Sequence, residues 1–85
     1  MKVSELMDRL AELDENAEVI LQKDAEGNGY SPLYEVDGNA VYVAESTWAG
    51  NVYSTEWTAN DADMEKDEWA EMLKLPRCVV LAPTN

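Results

Sequence analysis

The chain has 85 residues, with 18 acidic against 6 basic side chains and no histidine, for a net charge of −12 at pH 7. That length supports one domain with a single modest core and excludes a second. The charge repels phosphate backbones and anionic membranes and attracts basic proteins or cations, so direct nucleic-acid binding is not expected; the lack of histidine removes Ser-His-Asp and Cys-His nucleophiles and His-ligated zinc.

A hydrophobic fraction of 46% argues for a folded chain in spite of the self-repulsion. There is no run of eighteen apolar residues and no signal-peptide core at the start, which reads as a soluble cytosolic protein without a membrane partner. The single cysteine, Cys78, lies in the apolar run CVVLA and is expected as a small buried core residue; no intrachain disulfide is possible.

In chain order, Val3, Leu6, Met7, Leu10 and Leu13 recur at spacings of three and four and predict a helix over residues 4–13 with one buried stripe and Ser4 as N-cap. The turn Asp14-Glu15-Asn16 ends it, with Asn16 as the left-handed closing residue. Residues 18–22, EVILQ, have the β-branched apolar centre of a strand covered on both sides.

Residues 23–35, KDAEGNGYSPLYE, follow. Counted from Asp24, they match a calcium-loop template: Asp24, Glu26 and Asn28 at the first, third and fifth positions, Gly29 at the sixth, the Tyr30 carbonyl at the seventh and Glu35 at the twelfth. The template belongs between two helices, whereas here a strand enters, Pro32 stiffens the ninth position and Glu26 replaces a shorter Asp. The competing reading is architectural: Gly27, Asn28 and Gly29 make a tight connection, and Tyr30 and Leu33 fold back onto the core.

An opening MKVSELMDRL, a short acidic turn, AEVIL, a loop carrying EGNGYSPL and a closing VVLAP together resemble a group of small uncharacterised proteins encoded by tailed bacteriophages. The likeness covers both ends and the first loop, about half of the chain. It implies a phage origin and a place in the host cytoplasm, and it implies no activity, cofactor or site residue.

Leu33 to Val36 predicts a short strand, closed by the tight-turn signal Asp37-Gly38-Asn39. Residues 40–46 and 52–58 alternate as a second hairpin through Ala49-Gly50-Asn51, with Val41 and Val43 on one face. Folding about Ala49 and Gly50 sets Tyr42 opposite Trp57. Asn60 or Asp61 then caps a second helix with Trp69, Met72 and Leu73 as its buried stripe, ended near Lys74 by Pro76. Residues 77–82 are the last strand, expected beside the one at 19–21 in the sheet centre.

The expected architecture is therefore α+β: one small two-layer domain over residues 1–85, with an about five-stranded, mainly antiparallel sheet, two helices on one face and the order α-β-β-β-β-α-β. Tyr42, Tyr53 and Trp57, with Trp48 and Tyr34 nearby, would share the face away from Val41, Val43 and Val52. If the helices cover the valine face, these aromatics are exposed as a partner-binding surface; the inverted choice makes them core.

The acids Asp61, Asp63, Glu65, Asp67, Glu68 and Glu71 line the second helix and, with Glu12, Asp14, Glu15 and Glu18, offer a broad negative surface. It reads either as a solvated face or as a phosphate mimic for the basic groove of a nucleic-acid-binding enzyme. Acids are so common that no catalytic pair stands out, and P-loop, dinucleotide and zinc motifs are absent. The expected function is that of a non-catalytic protein-binding module of a phage, acting on a host or phage protein in the host cytoplasm, with a homodimer as a further use of the aromatic face. A DNA-mimic inhibitor of a host defence enzyme and a structural or assembly protein with a weak calcium loop are the alternatives.

Overall fold

The computed structural model describes residues 1–84, and their elements run α1 (Val3–Leu10), β1 (Ile20–Gln22), β2 (Tyr30–Ala44), β3 (Gly50–Ser54), α2 (Lys66–Met72) and β4 (Arg77–Pro83). The class is α+β, with two helices and a four-stranded antiparallel sheet. β2 is its organiser: β1 pairs with its start, β3 with its end, and β4 also pairs with it. The chain clusters into two compact units, one of Met1–Glu35 with the C-terminal residues from Leu81, the other of Val36–Val80.

Four strands replace the expected five because Asp37-Gly38-Asn39 does not turn. These residues lie inside the 15-residue β2. Their turn chemistry survives only locally, as the bond from the Asn39 amide to Asp37 Oδ1 at 2.8 Å, and Gly38 does not take a positive φ. A turn preference is a local term, whereas a strand paired along its length gains a ladder of cross-strand bonds, and the ladder prevails.

In the first unit, α1 starts earlier than expected. Lys2, not Ser4, is its N-cap, and Glu5 Oε1 reaches back to the Lys2 amide at 3.3 Å. Regular helix ends at Leu10, and a tighter turn with Leu13 N–H on the Leu10 carbonyl finishes it. Asn16 is not left-handed; its amide instead bonds Asp14 Oδ1 at 2.9 Å. The expected buried stripe is bare: α1 buries no side chain, and only Leu6 is even half-buried. β1 pairs with β2 alone, through Ile20↔Pro32, Leu21↔Ser31 and Gln22↔Tyr30, so it is an edge strand and not the central neighbour of β4. Ser31, buried, meets Thr84 hydroxyl to hydroxyl at 2.9 Å.

The second unit holds the buried apolar residues: Ala40 and Val41, each 1% exposed, and Trp69 of α2 at 7%. Met72 and Leu73 beside Trp69 are half-buried, in line with the expected stripe. The helix itself is shorter than expected. Thr58 and Asp61 cap a separate turn reciprocally, amide to Asp61 Oδ2 at 2.8 Å and amide to Thr58 Oγ1 at 3.2 Å. Asp63, at φ 56°, closes that turn with Met64 N–H on the Ala59 carbonyl and Asp63 N–H on the Asn60 carbonyl, which is the Schellman pattern. α2 then begins anew after Glu65. At its far end Arg77 Nη1 donates to the carbonyls of Leu73 and Leu75, each at 3.0 Å, satisfying acceptors that a helix C-terminus leaves open.

β4 alternates outward and inward instead of being covered on both sides. Cys78, Val80 and Ala82 are half-buried while Val79 and Leu81 are exposed. Cys78 is a free thiol, partly and not fully buried.

Candidate functional site

The β2–β3 hairpin carries the expected aromatic residues, and its register decides how they are arranged. The pairs are Ala40↔Ser54, Val41↔Tyr53, Tyr42↔Val52, Val43↔Asn51 and Ala44↔Gly50. The expected fold about Ala49 and Gly50 paired even with odd positions; the observed one pairs even with even. Such a shift carries a strand's side chains to the opposite face. Tyr42 therefore faces out beside Val52 and does not meet Trp57, which lies beyond the end of β3.

Two aromatic groups replace the single expected face. Tyr53 shares the side of the buried Val41 and packs edge-to-face on Trp57, with ring centroids 6.3 Å apart and planes at 88°. Tyr53 is half-buried, so this pair is partly spent inside the unit. On the other side Tyr42, 47% exposed, lies with its ring tip over Gly50, where a Cβ would come within 2.7 Å of Cζ and the hydroxyl. A ring over a strand glycine fills the space that glycine leaves empty, which gives Tyr42 a defined outward platform.

Trp48 stands at the tip of the hairpin, 86% exposed. Its loop is nonetheless ordered. Glu45 N–H and Ser46 N–H both bond the Ala49 carbonyl, Ser46 Oγ accepts from the amides of Trp48 and Ala49 at 3.3 and 3.1 Å, and Asn51 Nδ2 donates to Glu45 Oε1 at 2.6 Å. Tyr34, also exposed, belongs to the first unit and not with these four.

The loop before β2 is built around Asp24. Its Oδ1 accepts from the amides of Glu26 at 2.9 Å and Asn28 at 3.2 Å, and Asn28 Nδ2 reaches Glu26 Oε2 at 3.5 Å. These bonds, that from Asn28 first, hold the Asp24 carboxyl below its ordinary range. Gly27, at φ 78°, makes the turn, and the Tyr30 hydroxyl lies where a Gly27 Cβ would come within 2.9 Å. Tyr30 thus folds over the loop and not onto a core. Asp24, Glu26 and Asn28 are together in the loop while Glu35 lies along β2, and among the described residues no three His, Cys, Asp or Glu side chains gather as metal ligands.

The acid run is not one helix face. Asp61 caps the first turn, Asp63 terminates it, Glu65 occupies the N-cap position of α2 without a side-chain capping bond, Asp67 and Glu68 sit in its first turn where the helix dipole favours them, and Glu71 pairs with Lys74 at 3.0 Å. Both members of that last pair are well exposed, so it contributes little.

What sequence reasoning missed lies in the first unit. Met7, Leu10, Leu13, Val19 and Ile20 border one open hollow of about 600 Å³, edged by Asp14, Glu15 and Glu18. The available signal was the stripe itself, read as buried when it is bare. No family model, curated protein or solved structure among those compared matches the chain. No helix among the described residues is long and apolar enough to cross a membrane.

Proposed function

We propose that this chain is a non-catalytic protein-binding module whose contact surface is the outward side of the β2–β3 hairpin: Trp48 at the tip, Tyr42 on its glycine platform and Val52 beside it. The observation that carries this reading is Trp48, a large aromatic almost wholly in water on a loop that five hydrogen bonds hold in place. Exposed aromatics on ordered backbone supply contact area at low entropic cost, and tryptophan and tyrosine are the residues that anchor interfaces. The acid-rich surface around them selects basic or neutral partners and rejects acidic ones. The phage resemblance makes the partner a host or phage protein met in the host cytoplasm.

The test is affinity purification of the tagged chain from host cells, at low and high salt, beside Trp48→Ser and Tyr42→Ser. A partner retained at high salt and lost with Trp48→Ser, with the melting temperature unchanged, is the expected result. Retention of the same partner by both variants sinks the hairpin reading. Partners that bind both variants equally and wash off with salt would point instead to the acids and to phosphate mimicry.

A further inference from the structure

The β2–β3 ladder leaves one edge of its sheet open. The bonds just beyond its two ends join odd-numbered residues, Thr55 N–H to the Asn39 carbonyl and Glu45 N–H to the Ala49 carbonyl, each at 2.9 Å. Antiparallel bonding alternates, so inside β3 the backbone groups of Asn51 and Tyr53 turn towards β2 while those of Gly50, Val52 and Ser54 turn away. The Ser54 carbonyl takes the Trp57 amide at 3.2 Å. Among the described residues no other strand pairs with β3, which leaves both groups of Gly50 and Val52 and the amide of Ser54 along the outer edge.

A row of open backbone groups recruits another strand, and chains blunt it with lysine, proline or a bulge. β3 has none of these: it reads Gly-Asn-Val-Tyr-Ser, and its pairing with β2 runs unbroken. Asn51 and Val52 at its middle are exposed. Charge narrows the kind of strand that fits. No lysine or arginine stands between Lys23 and Lys66, while Glu45 and Glu56 flank β3. A second copy would bring the same acids to the same edge, whereas a basic segment meets charge of opposite sign.

We propose that the outer edge of β3 takes up an extended, lysine- or arginine-bearing segment of a partner protein as a further antiparallel strand. It rests on the hairpin being the contact surface and specifies what that surface takes. Residues bonded across an antiparallel pair stand opposite each other with their side chains on one face. Partner residues bonded to Gly50 and Val52 therefore carry their side chains to the Tyr42 side. There the exposed Tyr42 ring lies over Gly50, one strand nearer the edge than its own backbone. A cation opposite Gly50 meets the ring within the roughly 6 Å over which an aromatic face attracts it. Backbone bonds carry the affinity, and the ring and the acids choose the sign of the charge, so salt weakens the contact without abolishing it.

The test is an NMR titration of the isotope-labelled full chain with a peptide of about eight residues that alternates arginine and threonine. Saturable binding is expected, with the amides of Gly50, Val52 and Ser54 shifting most and their hydrogen exchange slowing about tenfold or more. N-methylation of the arginine amides should weaken binding about tenfold or more; N-methylation of the threonine amides, which face away from β3, should leave it nearly unchanged. Replacing arginine by glutamate should abolish binding. Val52→Pro removes an edge N–H that β2 does not use and should weaken the peptide about tenfold as well; the two methylated peptides keep the test sharp should that variant fail to fold. No saturable binding, equal effects of the two methylations, equal binding of the glutamate peptide, or edge amides that shift with protein concentration alone, as a second copy on the edge would make them, would each overturn the proposal. Binding that Trp48→Ser and Tyr42→Ser weaken but methylation does not would overturn strand addition and leave the hairpin surface standing; failure of the hairpin surface itself is read separately, from a host partner that both variants retain.

Discussion

α1 and α2 are nearly equal in length, eight and seven residues, and both carry an apolar stripe, yet α2 buries Trp69 and α1 buries nothing. Their units differ likewise. Residues 36–80 enclose Ala40, Val41 and Trp69, while among the described residues of the unit that contains α1 only the polar Ser31 is buried. Periodicity marks which side of a helix avoids water; it does not say whether the same chain supplies the cover.

The sharpest way to break this contrast is Trp69→Ala. Removing a buried indole should cost about 3–5 kcal/mol, a large part of the stability of a domain this small, read from urea denaturation followed by circular dichroism. A loss below about 1 kcal/mol would mean that the second unit is held by something other than its buried tryptophan. Within that same unit, Gly50→Ala sets a Cβ 2.5 Å from the Val43 carbonyl and 2.7 Å from the Tyr42 ring, and should cost about 1–3 kcal/mol as overpacking. Gly38→Ala is its control: nothing lies within 4 Å of the added carbon, and stability should move by no more than about 0.5 kcal/mol.

In the first unit, Gly27→Ala forces a side chain into φ 78° against the Tyr30 hydroxyl and should cost about 1–2 kcal/mol. The reverse change in the second unit, Asp63→Gly, relieves a left-handed residue at φ 56° and should raise stability by about 0.5 kcal/mol, the strain removed less the entropy of the added glycine. Opposite signs at these two sites are the expected result; a loss at both would show that relief of left-handed backbone does not govern Asp63.

The smallest effect concerns Asp24. Its folded carboxyl titrates below the ordinary range because loop amides bond the charged form. Such a group contributes stability above its unfolded pKa and loses it as pH falls through the folded pKa. An NMR titration should place the Asp24 midpoint low, with the Glu26 and Asn28 amide shifts moving together with it. A midpoint at or above the ordinary carboxylate value would show that these bonds do not persist in solution.

Several features were legible from residue order. The two helices, the strands at 20–22 and 77–83, and the stop before Pro76 all follow from spacing, β-branching and proline stereochemistry, which act within a few residues. So did the glycine turn of the Asp24 loop and the inward side of α2, where Trp69 is buried and Met72 and Leu73 are half-buried. The candidate site was legible only in part. Trp48 and Tyr42 are exposed as expected, but Tyr53 and Trp57 pair on the opposite side, because a register that shifts even against odd exchanges the faces of a hairpin.

What the sequence by itself determined, then, is the α+β class, the presence of both helices, the strands at 20–22 and 77–83 and the net acidity of the chain, since each depends on local preference or on simple sums. The tertiary structure alone decided that Asp37-Gly38-Asn39 would run straight through β2, that β2 would be the strand shared by the other three, and that the α1 stripe would stay bare. Those outcomes depend on pairing and burial between residues far apart in the chain, where a cooperative ladder or a missing core outweighs any local turn or helix signal. The first element of the sequence, so plainly amphipathic, is the one whose apolar stripe stays exposed.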